Sequence, residues 1–217
     1  MHQPNDEFLL DYASGALPEP VALAVATHAA LCADSRRRIE TMEAVGGSLL
    51  DGIEPVPMGD LALDRALAAI EVPERDDGTT APAAFDAETL AAVPAPLRHH
   101  IGRNLSDVPW RKLGRAVESA VVPSRVEGFD IRLLRIRAGH PVPTHTHRGM
   151  EITVTLEGGY NDGFANYARG DFQLADPSLE HRPWADEDED CLCLAVLAAP
   201  IRLTGFVGRL IDPFVRL

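Results

Sequence analysis

The 217-residue chain has no excess of basic residues: 20 Lys and Arg stand against 33 Asp and Glu, a formal net charge of −13. That balance disfavours nucleic acid as a direct partner and suits a basic protein surface instead. No apolar run is long enough to span a bilayer. The N-terminus, MHQPNDEF, lacks a basic stretch followed by an apolar one, so no signal peptide is expected and the chain reads as cytoplasmic. Cysteine is scarce. Cys32, Cys191 and Cys193 make no disulfide framework and are expected to be reduced in that compartment. Cys191 and Cys193 lie two apart, a separation that an ordinary strand does not easily bridge. There is no internal repeat, no phosphate-binding loop and no coiled coil. What remains is ordinary apolar content over a length that fits one large domain or two small ones.

The two halves of the chain are patterned differently. Asn5 or Asp6 can cap a first helix through Ser14, with Gly15 as its stop and Phe8, Leu9 and Tyr12 as its apolar face. Pro18 to Pro20 open a second helix, VALAVATHAALC, apolar nearly all round and therefore expected at the centre of a small bundle. Asp34 can cap a third helix from Ser35 to about Val45, where Gly46-Gly47 should interrupt it. An amphipathic segment follows from Asp60 to Ile70, with Leu61, Leu63, Leu67 and Ile70. Val72 to Asp86 is rich in Pro, Gly, Thr and charge and reads as a flexible linker. A short helix is expected at Ala87 to Val93. From about Pro96 the period changes to two, and VESAVVP, FDIRLLRIRAG, EITVTLEGGYND, FQLAD, CLCLAVLA and IRLTGFV read as antiparallel strands. The expected architecture is a small all-α bundle over 1–72, a linker over 73–95 and an all-β domain over 96–217. The helical part is the more acidic, with 12 Asp and Glu against four Arg up to Val72.

The β half is organised around GHPVPTHTHRGMEITVTLEG, Gly139 to Gly158. His145 and His147 lie two apart and Glu151 four further on. Residues at even separation share a face of a strand, so the three side chains can converge if the segment is extended and bends near Gly149. Two imidazoles and a carboxylate around one point are metal ligands by type. His140, next to Pro141, falls out of that register. His99-His100 reads as a solvated connector, and Trp110 and Trp184 as packing residues.

The spacing of Gly139, His145, His147, Glu151 and Gly158 resembles the first motif of the cupins. That resemblance implies a double-sheet jelly-roll barrel and a fourth ligand from a later strand, which His181 in LEHRPW would supply. It departs from the second cupin motif at Asp176-Pro177-Ser178, where Pro-x-Gly usually precedes the His. The resemblance implies zinc as the first choice of metal, while the donor set suits manganese, iron or nickel as well.

The N-terminal half carries its own resemblance. His28 and Cys32 lie four apart on one helix face, and this HxxxC resembles the HxxxCxxC of the zinc-binding anti-sigma domains without its last Cys. A helical domain of that kind joined to a cupin resembles the ChrR-type anti-sigma factors over essentially the whole chain, from LLDYASGAL to LIDPFVRL. The resemblance implies a protein that holds an extracytoplasmic-function sigma factor inactive and whose cupin ends the inhibition in response to singlet oxygen or organic peroxides. The family's helical zinc site uses an N-terminal His, the helix-two His and two Cys. Here Ser35 replaces the last Cys and Gln3 stands at the place of the first His, leaving His2, His28 and Cys32, with Asp34 as a spare carboxylate. Cys191 and Cys193 read either as small core residues or as oxidisable thiols near the metal. The alternative is a metal-dependent cupin enzyme, a dioxygenase or isomerase with an accessory helical domain. A metal that only stabilises the barrel is a third reading.

Overall fold

A computed structural model describes residues 1–71, 84–199 and 201–204. Asn5 accepts a hydrogen bond from the Phe8 N–H (2.9 Å) and so caps α1 (Asp6–Ala13). α2 (Glu19–Leu31) has Pro20 in its first turn, where a missing N–H costs no helical bond. Cys32 closes α2 in an extended conformation and opens α3 (Ala33–Asp51) directly. Two expectations are corrected there. The cap position is Cys32, and Asp34 sits inside the first turn, paired with Arg37 at 2.9 Å. The helix also runs through Gly46-Gly47 to Asp51. Glycine costs a helix roughly 1 kcal/mol per residue, but it keeps its N–H, so the hydrogen-bond ladder is not cut as proline would cut it.

After α4 (Ala62–Glu71) come α5 (Ala87–Ala92), capped by Asp86 on Thr89 N–H (2.7 Å), and α6 (Ala95–Ile101), ended by Gly102 in the left-handed region. The expected switch to period two at Pro96 therefore comes later. His99 and His100 belong to α6. His100 bonds the Pro123 carbonyl (2.7 Å) and lies 3.7 Å from the Glu19 carboxylate, so it ties two segments together and is no solvated connector. Residues 72–83 of the expected linker and the closing segment LIDPFVRL lie outside the described residues.

The strands are β1 (Arg111–Leu113), β2 (Val117–Val121), β3 (Asp130–Ile136), β4 (His145–His147), β5 (Glu151–Glu157), β6 (Gly159–Asn161), β7 (Asn166–Ala168), β8 (Phe172–Ala175), β9 (Glu180–His181), β10 (Trp184–Ala185), β11 (Cys191–Leu197) and β12 (Ile201–Leu203). They form a six-stranded sheet in the order β1-β2-β3-β11-β5-β8 and two three-stranded sheets, β10-β6-β7 and β12-β4-β9. Every named pairing is antiparallel.

β5 and β11 are buried almost throughout, because the large sheet is covered on both faces. On one face Ile131, Leu133, Ile152, Val154, Leu156, Leu192, Leu194 and Val196 join Leu9, Val21, Val25 and Ile39 of the helices in one continuous core. α2 packs on β5 and β11 as well as on α1, α3 and α6, so its all-round apolar character is used against a sheet and not only within a bundle. Each fully buried Val or Leu there contributes roughly 1.5–3 kcal/mol. The opposite face presents Leu134, Ile136, Thr153, Cys193 and Leu197 to a cavity of about 80 Å³.

Candidate metal centre

The cluster forms where β4, β5 and β9 meet. His145 and His181 are direct cross-strand partners, His147 is two residues along β4, and Glu151 is the first residue of β5. The turn between β4 and β5 passes close under the chain at Ala198 and Ala199. A Cβ on Gly149 would stand 3.1 Å from that of Ala199, so only glycine lets β5 start with Glu151 turned inward without a shift. Gly158 ends β5 with φ +62°, and a Cβ there would come within 2.4 Å of the Asp190 carbonyl oxygen. Two glycines of the sequence thus have steric reasons.

One donor atom from each of His145, His147, Glu151 and His181 lies within 4.8 Å of the others. His181 Nε2 is 3.0 Å from His145 Nε2 and 3.2 Å from His147 Nε2, and Glu151 Oε2 is 2.7 Å from His147 Nδ1. All four side chains are buried. His145 Nδ1–H donates to the Pro143 carbonyl (2.8 Å), which leaves the Nε2 lone pair facing the centre. His181 Nδ1 is a buried polar atom with no hydrogen-bond partner, and His147 Nδ1 and Glu151 Oε2 have none but each other. Three imidazoles and one carboxylate, buried and incompletely paired, suit a divalent cation. This is the only such group among the described residues.

Burial, more than any other cause, lowers the pKa of His145 and of His28. It also takes His181, beside His145, down to about 4. Burial alone would raise the Glu151 carboxyl, but the approach of His147 and the other imidazoles holds it below its usual value. The sign for stability follows. A histidine depressed in the fold takes its proton first in the unfolded chain, so its contribution is complete above about pH 6.5 and is lost as pH falls, toward about 4 for His181. A depressed carboxyl acts in the same direction. Metal-free protein is therefore expected to have a clearly lower unfolding midpoint at pH 5 than at pH 7.5. A midpoint that stays level or rises on acidification would contradict neutral buried imidazoles.

The N-terminal candidates are placed differently. His28 Nδ1–H donates to the Gly170 carbonyl (2.7 Å), and its Nε2 accepts from the Ser35 hydroxyl (2.8 Å). Both ring nitrogens are thus occupied, one by the β domain and one by the residue that stands where a thiolate would. Cys32 is buried, and His2 Nε2 bonds the Asn166 carbonyl (3.2 Å) with its ring against Tyr167. His140 bonds the Ala138 carbonyl at the surface. Trp110 packs against the core and under the Arg135 guanidinium, while Trp184 is partly exposed. Cys191 and Cys193 are both buried on β11, and Cys193 lines the cavity. Contact with the Cys191 thiol and burial push the Cys193 thiol well above its ordinary pKa, so it stays protonated.

Sequence reasoning missed the polar network beside His181. Tyr160 O–H donates to Gln173 Oε1 (2.7 Å), and Gln173 Nε2 donates to Asp162 Oδ2 (2.6 Å) and to the Tyr167 hydroxyl (3.1 Å). Nothing in the spacing of these residues signals it. They meet only because β6, β7 and β8 fold over the cluster.

Residues 98–199 match the ChrR cupin-like domain family. The anti-sigma-E factor ChrR of Cereibacter sphaeroides is 41% identical over 216 residues, covering 100% of this chain and 98% of that protein. The crystal structure of Rhodobacter sphaeroides SigE in complex with the anti-sigma ChrR matches at 36% identity with a TM-score of 0.76, covering 91% of this chain and 98% of that one.

Proposed function

The chain belongs to the ChrR family, and from that premise we propose that it is an anti-sigma factor, a regulator rather than an enzyme, whose partner is an extracytoplasmic-function sigma factor. One observation carries the reading. The second half of α3, the segment after it and α4 expose Val45, Leu49, Leu50, Ile53, Val56, Met58, Leu63, Leu67 and Ile70. Every described residue of α4 is exposed or nearly so. On α4, Leu63, Leu67 and Ile70 repeat at four and three residues, which is one exposed apolar helix face among the described residues. Exposed apolar side chains so closely spaced along a chain of net charge −13 mark a protein-binding site, and the solved relative holds a sigma factor. The acidic surroundings would speed encounter with a basic partner while the apolar face supplies affinity. No described helix is long and apolar enough to cross a membrane, which suits a cytoplasmic protein.

His145, His147, Glu151 and His181 hold one divalent metal in this reading, with zinc the first choice for its preference for four N, O or S donors. When bound, it would supply a charge that fixes four strand residues, and oxidation at the loaded centre would end the inhibition. Cys191 and Cys193 add oxidisable thiols on the same inner sheet face, though a protonated Cys193 would react slowly. His2, His28 and Cys32 hold no second metal, because the His28 lone pair is already engaged by Ser35. Co-expression with the extracytoplasmic-function sigma factors of its own genome tests all of this together. One sigma factor is expected to co-purify, with about one equivalent of zinc per chain by elemental analysis. No captured sigma factor would refute the function. Two equivalents would refute the single centre.

A further inference from the structure

We propose that Asp162 is the positioning residue of the metal cluster: its carboxylate holds His181 with Nδ1 protonated and Nε2 turned to the ion. The inference rests on the metal reading above and goes beyond its four ligands. Asp162 and His181 face each other inside the protein, side chains 1% and 3% exposed, with Asp162 Oδ2 3.7 Å from His181 Nδ1. That distance is longer than a hydrogen bond and that nitrogen has no hydrogen-bond partner, so the bond would close as the ion seats the ring; His181 Nε2 points at the other two imidazoles.

A buried carboxylate is costly unless it is hydrogen-bonded. Asp162 is held on both oxygens. Oδ1 accepts from the Phe164 and Ala165 N–H groups, each at 2.9 Å, and Oδ2 accepts from Gln173 Nε2 at 2.6 Å. Gln173 is itself fixed by Tyr160 and Tyr167. The carboxylate is therefore held in place beside the imidazole. A carboxylate behind a ligating histidine sets its tautomer and raises its basicity. It also balances charge. A dication beside Glu151 alone would leave one positive charge in an apolar interior, and Asp162 neutralises it.

The two oxygens separate two roles. Oδ1 serves the turn Asp162–Ala165, and Oδ2 accepts from Gln173 and faces His181. Asp162→Asn keeps an Oδ1 acceptor for the turn and removes the charge. The full-length protein is titrated with zinc against a competing chelator at pH 7, and its cobalt-loaded form is examined by visible absorption. The expected result for Asp162→Asn is about 10–100-fold weaker zinc binding and an altered cobalt spectrum, with the metal-free unfolding midpoint lowered only by the lost Gln173 bond. Binding within twofold of wild type overturns the proposal and leaves the metal centre standing. Wild-type protein that binds no zinc refutes the centre and this role with it. Should the variant not fold, nitrogen NMR of the zinc-loaded wild type decides. His181 must show Nδ1–H with Nε2 ligated, and the reverse assignment overturns the proposal.

Discussion

Replacing both Leu63 and Leu67 by aspartate is expected to weaken sigma-factor binding by more than about 100-fold. The two side chains lie one turn apart on the open face of α4, 67% and 51% exposed. Apolar anchors at the centre of an interface typically cost about 2 kcal/mol or more each when lost, and two such losses exceed the roughly 2.7 kcal/mol that a factor of 100 represents. Placing a carboxylate against the partner's apolar surface adds a desolvation cost. The substitution separates apolar contact from charge, because added aspartates make an acidic surface more acidic. If affinity came from charge alone, binding to a basic partner would strengthen. Stability should hold, since exposed positions away from the core change it by about 0.5 kcal/mol or less. Titration calorimetry with the purified sigma factor, beside a thermal melt, checks both halves. Affinity within threefold of wild type would remove α4 from the interface.

The metal ligands were legible because their geometry is local. His145, His147 and Glu151 sit within seven residues, and β periodicity alone puts them on one face once Gly149 allows the turn. His181 was legible only through family spacing, since its place opposite His145 is a pairing between strands far apart in sequence. Asp162 was invisible for the same reason, with no motif to help. The alternation in EITVTLE could be read, but not its direction. Ile152, Val154 and Leu156 face the helices and Glu151 and Thr153 face the cavity, the reverse of a barrel with water outside. Only the docking of α2 on the large sheet decides this, and a nearly all-apolar helix tells that it is buried without telling against what. The run of α3 through Gly46-Gly47 escaped because glycine weakens a helix by less than neighbouring turns can return. The amphipathic pattern of α4 was plain, yet a pattern cannot say whether its partner is in the same chain.

His145→Ala is expected to weaken metal binding by more than the roughly 100-fold that loss of a supporting outer residue costs, and to leave sigma-factor binding intact. One of four donors is removed, while the apolar face of α3 and α4 is untouched. The two sites are nonetheless joined through one strand. Glu151 and Ile152 are neighbours on β5: the first points into the cluster and the second into the core shared with α2. Any displacement of β5 that follows a change at the cluster must repack the sheet face on which the helices rest, and packed cores shift between discrete arrangements rather than bending smoothly. A signal can release the partner only by favouring the arrangement that binds it less well. With the ion absent from the start, an oxidant has no metal centre left to alter. Complexes of wild type and His145→Ala with the sigma factor, treated with an organic hydroperoxide, should therefore diverge: the wild type releases its partner and the variant holds it. Equal release from both would place the sensing chemistry elsewhere, and the Cys191–Cys193 pair on β11, beside β5 in the same sheet, would be the next group to test.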